Sequence, residues 1–303
     1  MNNIQIGYKG INVEIIGYTK HPAKVMWDML KQTWIELQNV DYDPDKKVVK
    51  DFIEGSLAKR LNPTPQETVM IQCVFRNISR VNLAQLTRHR GWLFQVESQM
   101  PQHVKHNVIL PLSIANSEYA ERAAKLIKES QELYDDMTEG NDDGKENTNI
   151  PYQDARYLLM HGQTCDASCS FTLPQLVNVC GQRLENNTAD EINYAFRLLL
   201  LKLKVAITLD DEMDALDKMV YIKNLEKCDC FGAAMKKCFT CDDVFGNSFK
   251  RFDDANEYVT KATDYCKFDF EKSAWYEELK RIYKEEPELL LPGEKEMIES
   301  WDK

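Results

Sequence analysis

Residues 85–98 read Gln-Leu-Thr-Arg-His-Arg-Gly-Trp-Leu-Phe-Gln-Val-Glu-Ser and close a helical pattern. Val81, Leu83, Ala84 and Leu86 recur at helical spacing from Ser79 onward, which predicts a helix there. It ends in the basic cluster Arg88-His89-Arg90, and Gly91 supplies a natural stop. Two guanidiniums around an imidazole concentrate positive charge at that helix end. Arginine forks suit phosphate and carboxylate groups because they donate paired hydrogen bonds and keep their charge. The plainer reading of the same cluster is compensation of the helix dipole at a C-terminus.

Upstream, residues 11–18 form a β-branched run that predicts a strand, and His21-Pro22 opens a helical pattern through Trp27, Leu30, Trp34 and Leu37. Asn62-Pro-Thr-Pro-Gln-Glu resembles a turn and helix cap, followed by a strand-like run over 69–75. Downstream, 106–112 reads as a strand and 117–133 as a helix. Residues 135–149 are dense in Asp, Glu, Asn and Gly, which predicts an exposed acidic loop. Pro151 restarts a helix through Ala155, Leu158 and Leu159, residues 165–171 read as extended, and 173–184 and 189–205 read as helices, the second capped by Asn187-Thr188. Beyond Asp210 the chain is helical in pattern, acidic and aromatic, with no internal repeat and no glycine-rich phosphate loop anywhere.

The 303 residues carry 38 Lys+Arg against 49 Asp+Glu, a formal charge of −11 that argues against general affinity for nucleic acid. With 43% hydrophobic and 29% charged residues, the balance is that of a soluble globular protein. No apolar run approaches the ~20 residues of a membrane span, and the N-terminus shows no secretory pattern. The expectation is a cytoplasmic protein. Its nine cysteines then read as reduced thiols. Cys228, Cys230, Cys238 and Cys241 have a spacing that could hold zinc, but the first pair is one residue tight and no histidine lies nearby, so ordinary thiols are the simpler reading. A Cys–His nucleophile built from Cys165, Cys169 or Cys180 with His161 is outweighed by buried, inert thiols, and His161 reads as a helix-end residue.

The segment 85–98 resembles the R-H-R-x7-S signature of the flavin-dependent thymidylate synthases, with Arg88-His89-Arg90 followed by Ser98. Ser79-Arg80, Gln85 and Glu97-Ser98-Gln99 stand where that family has its flanking residues. A second block agrees: Asp154-Ala155-Arg156 resembles the family's Ala-Arg stretch, and Asn178 and Arg183 fall 22 and 27 residues after Arg156. Glu191-Ile192, the opening Val13–His21 stretch with Pro22, and Thr64-Pro65 match further family blocks, so the resemblance covers roughly residues 11 to 206.

The resemblance implies an α/β (α+β) fold, a central, mostly antiparallel sheet flanked by helices. Its catalytic domain would span residues 1–210, with the acidic loop 135–149 inside it. A helical C-terminal extension, residues 211–303, would follow. It further implies a homotetramer with active sites where subunits meet, bound FAD, and methylation of dUMP with methylenetetrahydrofolate as carbon donor and NADPH as hydride source. By position, Thr64, Arg88, His89, Arg90, Glu97 and Asn178 would hold the flavin. Gln85, Arg88, Ser98, Gln99, Arg156 and Arg183 would bind the nucleotide. Arg183 would also be catalytic, stabilising the N3-deprotonated uracil, because a fixed guanidinium favours a developing anion.

Some positions depart from the family. Met100 replaces an arginine used on the nucleotide phosphate, Thr172 and Pro174 replace Asn and Arg near the flavin, and Ala189 replaces Gln. These departures leave three readings open: ordinary thymidylate synthesis, which is favoured; altered pyrimidine chemistry, such as dUMP hydroxymethylation or action on a cytosine nucleotide; and a non-catalytic flavin-binding module. Lys105 and His103 are the nearest candidate replacements for the phosphate contact. Trp275, Tyr276, Tyr283 and Trp301 in the tail read as helix-packing or interface surface.

Overall fold

In the computed structural model the described residues are 3–8, 10–100, 104, 106–139, 150–184, 188–208, 210–228 and 284–285. Four strands make the larger sheet: β2 (Asn12–Tyr18), β3 (Met70–Ser79), β6 (Thr164–Thr172) and β4 (Leu93–Val96), in that spatial order. The β3–β6 pair is framed by Arg80 N–H to Gln163 C=O at 2.9 Å and Leu173 N–H to Val69 C=O at 2.8 Å. Those crossed partners are what an antiparallel pair requires. A second, two-stranded sheet pairs β1 (Asn3–Ile6) with β5 (Asn107–Leu110) in parallel, Asn3 opposite Asn107 and Ile6 opposite Leu110. Helices flank the sheets, and the α/β expectation holds.

The chain divides into two interleaved units, and β2, β3, β4 and β6 contribute residues to both. One holds residues 1–12, 74–90 and 94–169. Its helices are α3 (Arg80–Leu86), α4 (Leu112–Ala115), α5 (Ala120–Thr138) and α6 (Tyr152–Ala155). Val104, Tyr134, Tyr152, Ala155 and Leu159 form one core cluster there, and Val108, Leu110 and Ile127 another. The start of the expected acidic loop is corrected: residues 135–138 continue α5. Ile127, Gln131, Tyr134 and Thr138 make a buried stripe at helical spacing, and the Thr138 hydroxyl donates to Tyr134 C=O at 2.9 Å, which carries the helix past its last leucine.

The other unit holds residues 13–73, 91–93 and 170 onward, with α1 (Pro22–Leu30), α2 (Lys47–Leu57), α7 (Leu173–Arg183), α8 (Asp190–Thr208) and α9 (Ala215–Leu225). Its core includes Met26, Trp27, Leu30, Ile53, Phe171, Phe196, Leu203 and Tyr221, all buried. The helix expected to run through Leu37 ends at Leu30; Trp34 is extended (φ −129, ψ 107) and short 3-10 turns follow. Thr188 donates to Gln182 C=O at 3.1 Å.

One interaction of this unit is invisible in local sequence. His21, at the start of α1, makes no side-chain cap. Asp217 of α9 supplies one from across the chain, accepting from Ala23 N–H at 2.9 Å and pairing with His21 Nδ1 at 3.1 Å. A carboxylate at a helix N-terminus satisfies an orphan N–H and meets the positive end of the dipole. Burial nevertheless pushes the Asp217 carboxyl up from its ordinary value. Tyr221 donates to Thr19 C=O at 2.9 Å, and Asp210 accepts from Tyr18 at 2.6 Å and Lys20 at 2.5 Å. Desolvation opposes the charge on Asp210, but the Lys20 and Tyr18 hydrogen bonds prevail and hold its pKa below normal. Segment 210–221 is thus fastened to the β2–α1 connection.

Candidate active site

Ser79 opens the segment that carries the signature: its hydroxyl accepts from Asn82 N–H at 3.0 Å and caps α3. After Leu86 the chain turns, with Arg88 N–H to Gln85 C=O at 3.4 Å and His89 N–H to Leu86 C=O at 3.2 Å. Arg88 and Arg90 are exposed while His89 between them is buried. Neither arginine side chain makes a hydrogen bond or ion pair among the described residues. Dipole compensation is not the whole account, because two charges left open to solvent remain available to an anion.

Gly91 follows at φ +88, the left-handed region open to glycine at little cost. A Cβ there would also lie 2.6 Å from Gln175 Nε2, the group that donates to Gly91 C=O at 3.4 Å. Trp92, next in the chain, stacks on Phe171 with centroids 4.0 Å apart and is buried. These contacts fix the exit of the signature turn.

Beyond β4, Glu97 is gripped by β6. Glu97 N–H donates to Asp166 C=O at 3.0 Å, and Glu97 Oε2 accepts from Asp166 N–H at 3.2 Å. The Asp166 carboxylate in turn accepts from Asn77 N–H at 2.8 Å and Arg76 Nη1 at 3.1 Å. Asn77 stands at φ 62, a conformation asparagine tolerates better than most residues. Its side chain donates to Gln5 Oε1 and Gly10 C=O, each at 3.1 Å. Arg80 completes the set, its Nη2 donating to Glu97 C=O at 2.9 Å. The helix leading into the signature turn and the loop bearing Glu97, Ser98 and Gln99 are therefore tied to each other and to the sheet. Composition and spacing gave no sign of Asp166 or Asn77, since both act through tertiary hydrogen bonds.

Ser98 is exposed and accepts from Met100 N–H at 3.2 Å, a local turn, while Gln99 is half-buried. Met100 is itself 53% exposed and offers no charge. Gln85 is half-buried on α3. Arg156 begins a 3-10 turn after α6, half-buried, with Nε donating to Gln153 C=O at 3.1 Å. One unit thus collects Gln85, Arg88, His89, Arg90, Glu97, Ser98, Gln99 and Arg156.

Thr64, Asn178 and Arg183 belong to the other unit. Thr64 is exposed at the start of a 3-10 turn, Asn178 is exposed on α7, and Arg183 is the last residue of α7, half-buried. Thr172 joins these two elements: its hydroxyl donates to Glu67 at 2.7 Å and caps α7 by accepting from Gln175 N–H at 3.4 Å. A hydroxyl engaged twice plays a structural part at that position. Pro174 sits in the first turn of α7, where a missing N–H costs nothing.

Cys165, Cys169, Cys180 and Cys228 are buried and in no disulfide, while Cys230, Cys238 and Cys241 lie outside the described residues. Among the described residues no group of His, Cys, Asp or Glu is arranged to hold a metal. His161 is exposed in the turn before β6 rather than at a helix end, and its carbonyl accepts from Val81 N–H at 3.1 Å. His103, Lys105, Asn187, residues 140–149 and the tail aromatics Trp275, Tyr276, Tyr283 and Trp301 also fall outside the described residues. No helix among the described residues is long and apolar enough to cross a membrane. A cavity of about 430 Å³ between α2 and α9 is lined by Leu57, Met219 and Lys227 and by none of the expected site residues.

The family model for the thymidylate synthase complementing protein matches residues 14–206. Among solved structures, the UMP/dUMP methylase PolB from Streptomyces cacaoi bound with 5-Br dUMP is 16% identical with a TM-score of 0.53, over 72% of this chain and 96% of that one. The same methylase bound with 5-Br UMP gives 14% identity and a TM-score of 0.51 over 72% and 96% of the two chains. Thymidylate synthase X from Helicobacter pylori with FAD and dUMP is 16% identical with a TM-score of 0.46, over 71% and 99%. At such identities the PolB likeness is one of fold. A sequence search of curated proteins found no match.

Proposed function

This chain belongs to the thymidylate synthase complementing protein family, the flavin-dependent thymidylate synthases, and we propose that as an enzyme of that type it methylates dUMP to dTMP. The observation that carries the reading is the signature turn. Arg88 and Arg90 are exposed and unengaged among the described residues, on either side of a buried His89. That donor set fits the diphosphate and ring edges of FAD. Arg88, His89, Arg90, Thr64, Glu97 and Asn178 would hold the flavin. When bound, it supplies the redox chemistry that links a reduced nicotinamide and methylenetetrahydrofolate to the pyrimidine.

The chain's own residues position and polarise. Gln85, Ser98, Gln99 and Arg156 would bind the nucleotide, Arg156 through the guanidinium nitrogens beyond its Nε. Arg183 would sit beside the uracil imide and favour loss of the N3 proton, since a guanidinium stays charged at every working pH. A homotetramer with active sites at subunit interfaces is part of the same reading, as are NADPH and methylenetetrahydrofolate as co-substrates. A cytoplasmic setting is too. The division into a catalytic domain up to residue 210 and an extension beyond it is likewise proposed.

Met100 favours a second reading, altered pyrimidine chemistry on the same scaffold. An exposed thioether cannot replace a bidentate charge on a phosphate, and a substrate held differently at that end could present a different ring. The visible absorption spectrum of the purified protein, before and after adding dUMP, tests both. A two-banded flavin spectrum that shifts with dUMP supports thymidylate synthesis, and product analysis then separates methylation from hydroxymethylation. A flavin spectrum indifferent to dUMP but responsive to a cytosine nucleotide supports the second. A colourless protein that takes up no added FAD sinks both.

A further inference from the structure

We infer that Asn193 and Arg197, two buried residues of α8, are positioning residues for Arg183; the inference rests on the role proposed for Arg183 above. Arg183 is the last residue of α7, where carbonyl groups have no partner within the helix. Asn193 Nδ2 donates to Arg183 C=O at 3.1 Å. On the other side of the same carboxamide, Arg197 Nε donates to Asn193 Oδ1 at 2.5 Å. The two contacts fix the orientation of the amide without ambiguity. A guanidinium can only donate, so the oxygen must face Arg197, and the nitrogen then faces the carbonyl.

Arg197 is 3% exposed and Asn193 8%. Among the described residues Arg197 has its hydrogen bond to Asn193 and no ion pair. A guanidinium is costly to bury, and one buried against a neutral amide rather than a carboxylate is not explained by charge pairing. Its placement suits a different role, because its positive charge stands behind an amide that caps the negative end of α7. Arginine and asparagine sit four residues apart on α8, so one helix face delivers the whole clamp. The backbone from which the Arg183 side chain departs is held, and the guanidinium swings from a fixed point. A displacement of about 1 Å at a reacting group can cost on the order of a hundredfold in rate.

The test uses the full-length, FAD-loaded protein and the variants Asn193→Asp, Asn193→Ala and Arg197→Lys. Asn193→Asp keeps the acceptor for Arg197 and removes the donor to Arg183, so it isolates the capping bond. Two readouts are taken: amide hydrogen exchange over residues 179–184, and kcat and KM with dUMP. The expected result for Asn193→Asp is exchange about tenfold faster in that segment, with β3 unchanged. Turnover should fall about tenfold or more while KM and flavin content stay near wild type. Arg197→Lys, which keeps the charge but loses the planar Nε donor, should show the same pattern and serves if Asn193→Asp fails to fold. Unchanged exchange at 179–184 overturns the clamp. Faster exchange with wild-type kcat overturns the positioning role and leaves a purely structural one. If the wild-type protein turns over no dUMP, the proposed reaction fails, and the exchange readout still decides the clamp.

Discussion

Asp166 and Glu97 exchange two hydrogen bonds, N–H to C=O at 3.0 Å in one direction and N–H to carboxylate at 3.2 Å in the other. The Asp166 carboxylate meanwhile secures the left-handed Asn77. Asp166→Ala strips Asn77 N–H of its acceptor and should destabilise the protein by about 2 kcal/mol in urea unfolding. Asp166→Asn retains an oxygen for that N–H and loses only the charge facing the half-exposed Arg76, a loss of about 1 kcal/mol or less. Equal losses for the two variants would show that the Arg76 pair, not the Asn77 contact, carries the stability.

Arg183→Ala should lower turnover by about 10²–10³-fold while FAD binding, read from the visible spectrum, stays intact. Retained turnover would refute the role given to Arg183.

Met100→Arg should tighten binding of dUMP by about 2 kcal/mol, close to ~30-fold, if the phosphate lies near the exposed side of Ser98 and Met100. Calorimetric titration reads this directly. An unchanged dissociation constant would put the phosphate elsewhere.

Asp217→Ala should cost about 1–2 kcal/mol, because Ala23 N–H loses its cap. Asp217→Asn should cost less at neutral pH, since the amide oxygen can still accept and no buried charge has to be sustained. Burial raises the Asp217 carboxyl, so its own contribution favours folding below the ordinary carboxylate range and is lost as pH rises through the raised value. The difference between wild type and Asp217→Asn should therefore shift in favour of the variant as pH rises. A shift in the opposite direction, in thermal melts from acid to neutral pH, would contradict the burial argument.

Asp210 carries the opposite sign. Its carboxyl is held below normal by Lys20 and Tyr18, so its stabilisation is present above about pH 4 and is lost as pH falls through the depressed value. Wild type should lose melting temperature below about pH 4 more steeply than Asp210→Asn. Parallel curves would deny Asp210 that part.

What sequence reading recovered, and what it missed, follows from the range of the interactions. β2, β3 and α3 are set by neighbours in the chain, and periodicity exposed them, although α3 ends at Leu86, before the basic cluster expected to close it, and its Ser79 cap was not foreseen. β1 and β4, four residues each, escaped notice. β1 pairs with Asn107–Leu110, about a hundred residues away, and no local turn announces it. α5 outran its reading because Tyr134 and Thr138 are buried by tertiary packing although acidic residues surround them. In the candidate site, the signature residues stand out in the sequence because two arginines and a histidine sit together ahead of a serine at a fixed spacing. Asp166, Asn77, Asn193 and Arg197 were not, because each is ordinary in its local sequence and acquires meaning only from a partner on another element.

The cap that Asp217 places on α1 joins residues 194 apart, and the bonds from Tyr18 to Ala206 and from Tyr221 to Thr19 span 188 and 202. During synthesis the first helix therefore emerges from the ribosome long before its own N-terminus can be completed. That cap stays missing until Asp217 has followed the helix out. Loop closure over such distances is slow. The N-terminal third of this chain is thus made first and finished among the last, and a truncation anywhere before α9 leaves that beginning, not only the end, unfinished.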